Sequence, residues 1–69
     1  MRYAVIIEKG RFHYGAYVPD IPECSAVGKT VEEVKKSIYA SISNHLSSLQ
    51  AEGNEFPNAK TLCEYVEVG

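Results

Sequence analysis

Histidine, cysteine and carboxylate side chains are the groups in this chain that could do chemistry. There are two histidines, His13 and His45, two cysteines, Cys24 and Cys63, and nine acidic residues. A general base needs an orienting partner within hydrogen-bond reach. Neither histidine has a carboxylate at a sequence spacing that provides one, so both are expected to be structural or solvent-exposed. A four-ligand zinc site needs closely spaced Cys and His pairs. Cys24 and Cys63 stand far apart, and no histidine completes a pair with either. No metal site and no cofactor are expected, and both cysteines read as small apolar strand residues. Two-metal nuclease chemistry needs converging carboxylates. The acids here (Glu8, Asp20, Glu23, Glu32, Glu33, Glu52, Glu55, Glu64 and Glu67) are spread along the chain. The helix serines have no G-x-S-x-G context. No glycine-rich phosphate loop is present. The chain is not expected to be an enzyme.

The elements that must position these groups follow from hydrophobic periodicity. Residues 2–8 alternate as a strand, with Tyr3, Val5 and Ile7 on one face and Ala4, Ile6 and Glu8 on the other. Lys9-Gly10-Arg11 suits a tight hairpin. Residues 12–18 form a second strand, where Gly15 suggests a bulge or a close approach. Pro19, Asp20, Ile21, Pro22 and Glu23 make a stiff connection, because two prolines fix φ and remove two donors. Little entropy is lost when a stiff loop docks, so this loop is a candidate recognition surface. Residues 24–27 form a short third strand that ends at Gly28.

The helix has the clearest signature. Thr30 and Glu33 form a T-x-x-E capping box, and Glu32 and Glu33 suit the helix dipole. Val31, Val34, Ile38, Ile42, Leu46 and Leu49 recur at helical spacing, with His45 at the margin of that face. Gly53 is the natural stop. The many serines are weak helix formers, so the helix depends on docking its apolar face. Residues 61–68 read as a last strand, with Leu62, Glu64, Val66 and Val68 on one side.

The expected fold class is α+β, a β-β-β-α-β two-layer sandwich in one domain over residues 1–69. A crossover through a helix favours parallel pairing. The last strand is therefore expected beside the first, giving a sheet order of 3-2-1-4 with the helix on one face. The uncovered face carries apolar side chains, which points to an interface. A domain of 69 residues has a small core and often gains stability by association. A homodimer or higher homo-oligomer is expected.

The balance of residues limits the function classes. The chain is 45% hydrophobic, too apolar for a disordered segment. Its longest early apolar run, Ala4 to Ile7, is too short for a signal-peptide core, and nothing approaches a membrane span. A cytoplasmic location without membrane attachment is expected. The net charge is −2 and the lysines form no run, so direct nucleic-acid binding is not expected. A mildly acidic protein suits a basic partner.

A-Y-V-P-D-I-P-E-C (residues 16–24) followed by G-K-T-V-E-E-V (residues 28–34), with Y-A-V-I-I-E at residues 3–8, resembles the HicB family of antitoxins. The likeness continues through Ile42, His45 and Leu46, and through Gly53 and Pro57. It implies a partial ribonuclease H-like fold without nuclease activity. It also implies a protein partner, the HicA-type toxin, a small basic ribonuclease that cleaves messenger RNA. Asp20, Ile21, Pro22 and Glu23, with Tyr17 beside them, are carried over as the partner-binding surface. The family commonly has glycine where Glu23 stands. Many members carry a C-terminal DNA-binding segment; none is recognised before Gly69, so promoter binding is not expected. Two other readings stay open: a self-associating orphan domain, and a metal-dependent nuclease on the same scaffold. Against the latter, Glu8 is the only acid of the first strand, at its end, and the helix has no acid at the centre of its sheet-facing side.

Overall fold

A computed structural model describes all 69 residues. The element order is β1 (Ile6–Lys9), β2 (Tyr14–Val18), β3 (Ile21–Gly28) and α1 (Val31–Ala51). The strands form an antiparallel sheet in the order β1-β2-β3. Ile7 pairs with Ala16, and Ala16 with Ala26. The hairpin between β1 and β2 is closed by the Gly10 amide, which donates to the His13 carbonyl at 2.7 Å. The turn Pro19–Asp20 joins β2 to β3.

Three expected features are placed differently. The third strand starts at Ile21, not Cys24, and so takes in Pro22 and Glu23. The sheet irregularity falls between Tyr17 and Val18, where the pairing jumps from Ser25 to Ile21. Gly15 has only an ordinary contact there, with the Ala26 carbonyl 4.0 Å from where a Cβ would lie. Gly28 is the glycine that packing requires: a Cβ there would sit 2.9 Å from the Val34 amide nitrogen. The helix therefore starts against the end of β3 at a distance only glycine permits.

The helix forms as its end signals predict. Thr30 is extended and its hydroxyl accepts the Glu33 amide at 3.0 Å. At the other end Gly53 has φ of 75°. Its amide donates to Gln50, and the Asn54 amide donates to Leu49. This pair of bonds is a Schellman closure, which satisfies carbonyls the helix leaves open.

The core is small. Ala16, Val18, Ile21, Cys24, Val34 and Ile38 are buried, and Tyr3, Val5, Ile7, Tyr14, Ala26, Ile42 and Leu46 pack around them. The helix lies over β2 and β3. On its β1 side an apolar groove of about 590 Å³ stays open, lined by Tyr3, Val5, Ile7, Tyr39, Ile42 and Leu46 among others.

The expected fourth strand does not form. Residues 61–68 make no ladder with β1, so the sheet has three strands and the order 3-2-1-4 is incomplete. The physical reason lies in the helix position. Because α1 lies over β2 and β3, the chain's own tail beside β1 would gain little burial from its helix. Leu62, Tyr65, Val66 and Val68 are all at least 80% exposed. The extended tail lengthens the molecule. The radius of gyration is 13.5 Å, against about 11 Å expected for a compact domain of this length.

Candidate functional site

The turn between β2 and β3 carries a carboxylate that accepts three hydrogen bonds. Asp20 sits at its second position, where a short carboxylate can reach neighbouring amides. Its partners come from the far end of the chain. The Thr61 hydroxyl donates to Oδ1 at 2.7 Å, and the Thr61 and Lys60 amides each donate to Oδ2 at 2.9 Å. Hydrogen bonds to the charged form favour it. The Thr61 hydroxyl, then the Thr61 amide, lowers the Asp20 pKa from its ordinary value, with smaller help from the Lys60 amide and charge. Asp20 is thus a clasp that holds the start of the tail. A second tie lies nearby: the Tyr3 hydroxyl donates to the Pro57 carbonyl at 2.7 Å.

The five residues carried over as a partner surface do not form one exposed face. Ile21 is fully buried between the sheet and α1. Its side chain is core, which corrects its placement on the surface. Asp20 spends its carboxylate inside the chain. Tyr17 is 44% exposed and stands opposite Ile6 and Ser25, on the face away from the helix. Pro22 and Glu23 are exposed at the edge of β3. Glu23 approaches the helix there, its Oε1 lying 3.9 Å from His45 Nε2.

That last contact was not visible in the spacing. His45 does have a carboxylate near it, brought by the packing of α1 on β3. At 3.9 Å it is an ion pair only while the histidine is protonated, and it is too long for the hydrogen bond a general base needs. Thr61 was also missed. Its threonine hydroxyl offered no signal by itself, because its partner lies 41 positions away. The cysteines are free: Cys24 is buried, with its thiol 3.6 Å from the Ser41 carbonyl, and Cys63 is exposed. No three His, Cys, Asp or Glu side chains come close enough together to hold a metal ion. No helix is long and apolar enough to cross a membrane.

Comparison with known proteins decides the family. The profile of the HicB_like antitoxin of bacterial toxin-antitoxin system matches residues 3–68. The chain belongs to this antitoxin family. The match runs from before β1 through the tail, so it covers every element described above. A second similarity is to an uncharacterized 14.9 kDa protein in the rep-hol intergenic region of Haemophilus phage HP1, 30% identical over 66 residues. That alignment covers 96% of this chain and 50% of the phage protein, so the chain spans about half the length of the curated relative it matches. No solved structure matches.

Proposed function

We infer that this HicB-like chain is an antitoxin that binds a HicA-type, mRNA-cleaving toxin and neutralises it by protein contact, in the cytoplasm and without touching nucleic acid itself. The observation that carries this reading is the family match over residues 3–68. The surface at the turn is compatible with it. Pro22 and Glu23 are exposed on a strand backbone beside the Asp20 clasp, so little backbone freedom is lost on docking. Glu23 adds negative charge for a basic partner. Tyr17 offers an aromatic contact of the type enriched in interfaces, on the neighbouring face. Asp20 serves this surface by fixing it, and Ile21 by anchoring it in the core.

The test is a pull-down of tagged protein from native lysate, with mass spectrometry of what co-purifies. A stoichiometric HicA-type protein is the expected result, with Glu23→Ala weakening capture and Asp20→Ala weakening it through the loosened turn. Recovery of the bait alone would sink the toxin-binding reading.

A second reading is a self-associating orphan domain. The observation favouring it is the row of exposed apolar residues at Leu62, Tyr65, Val66 and Val68. Self-association and toxin binding are compatible, and we include a homodimer in the proposal.

A further inference from the structure

The molecule holds both halves of a β-ladder and joins neither to the other. One half is the outer edge of β1, which bonds only to β2. The other is residues 62–68, rich in residues that favour strands. The Asp20–Thr61 clasp seats the tail beside that edge. Beyond Thr61 it stands off. A cavity of about 540 Å³ lies between Arg2–Val5 and residues 59–64, and another of about 440 Å³ lies between Val5–Ile7 and residues 62–65. Together they form a slot along the edge.

We propose that residues 62–68 of a second copy of this chain enter that slot and pair with the outer edge of β1. The inference rests on the self-association proposed above and is independent of the toxin. Four observations carry it. An unpaired edge is a template for another strand. The two sheet edges differ in proline: β3 carries Pro22, which blunts an edge, whereas β1 has none and presents Ile6 and Ile7 beside Glu8 and Lys9. The charges match across chains. The only charged residues in 62–69 are Glu64 and Glu67, while Arg2, Lys9 and Arg11 at and around β1 outnumber its one acid, Glu8. Direction supplies the fourth argument. The chain's own tail runs in the same sense as β1, because residues 59–64 face Arg2–Val5 and the later residues 62–65 face Val5–Ile7. Closing on its own edge would make a parallel ladder. A copy related by a two-fold axis perpendicular to the strands presents its tail antiparallel, and antiparallel pairing is slightly more stable per residue. The partner's Leu62, Val66 and Val68 then extend the apolar groove of Tyr3, Val5 and Ile7, which the helix leaves open.

The experiment combines two measurements on the full chain. Light scattering across a concentration series is expected to give twice the 7.6 kDa chain mass. Val66→Pro removes one amide donor from an exposed position, and should weaken self-association about tenfold or more with unchanged circular dichroism. Isotope-filtered NMR on mixed labelled and unlabelled chains should then show contacts between Val5–Ile7 of one copy and residues 62–68 of the other. A monomer at all concentrations would overturn both this proposal and the self-association it rests on. A dimer unaffected by Val66→Pro, or contacts between these segments only within one chain, would overturn the proposed pairing and leave self-association standing.

Discussion

Ile21 and Leu62 are both large aliphatic residues, and their fates are opposite. Ile21 is fully buried, whereas Leu62 is 88% exposed. The difference lies in what stands above each. Ile21 follows a tight turn that returns the chain along β2, directly under α1. Leu62 follows a clasp that returns the chain to the edge of β1, where the helix does not reach. Strand pattern alone does not make a strand. It needs a second layer to bury its apolar side, and a helix over β2 and β3 supplies that layer to only part of the sheet.

The largest test of this contrast is to truncate each residue. Ile21→Ala should cost about 2–5 kcal/mol, the range for buried Ile and Leu truncations. A six-residue buried core leaves little reserve, so thermal melts by circular dichroism should show a chain largely unfolded at room temperature. Leu62→Ala should change stability by less than about 0.5 kcal/mol when measured below the association concentration, as for exposed sites. Equal losses at the two positions would mean that the tail packs as the fourth strand after all.

Gly28→Ala comes next in size. The added Cβ would meet backbone atoms of Val34, which cannot move without shifting the helix start. Overpacking of this kind costs about 1–3 kcal/mol, and the melt of the variant should fall accordingly. Gly15→Ala, with no atom closer than 4.0 Å to the new Cβ, should leave the melt close to that of the parent. Thr30→Ala should follow at about 1 kcal/mol, through the lost bond to the Glu33 amide.

These positions also show what could be read without a structure. The helix and its ends were legible because caps are local: Thr30 and Glu33 are three residues apart, and Gly53 needs only its own φ. The β-hairpin was legible in place for the same reason, although its strands begin at Ile6 and Tyr14 and not at the expected residues 2 and 12. Ile21 was hidden by its flanking prolines, which mark a turn whether or not the residue between them turns inward. Its one available signal was apolar character amid polar neighbours. The clasp was not legible at all, since Asp20 and Thr61 meet only after three strands and a helix have folded. The Glu23–His45 approach is tertiary in the same way. The fourth strand was wrong for an instructive reason: its pattern was sound, but the helix position that decides its burial is not written in its own residues.

The clasp gives the smallest effect and the sharpest test of the boundary between the two regions. The Thr61 hydroxyl and amide hold the Asp20 pKa below its ordinary value of 3.8. A carboxylate with a depressed folded pKa stabilises above its unfolded pKa, and that contribution is lost as pH falls through the folded value. Tail attachment should therefore be complete from neutral pH down to about the ordinary aspartate pKa, and should loosen only in more acidic solution. The Thr61 amide resonance reports this directly, because its bond to Oδ2 is 2.9 Å and disappears when the carboxyl protonates and turns away. In an NMR pH titration the Thr61 signal should move with a midpoint below 3.8, while the Val18 and Ile21 signals of the core stay in place. In Asp20→Asn the Thr61 signal should sit near its released position at every pH. If the core signals moved together with Thr61, the tail and the helix-covered sheet would be one cooperative unit, and the contrast between Ile21 and Leu62 would be one of exposure alone.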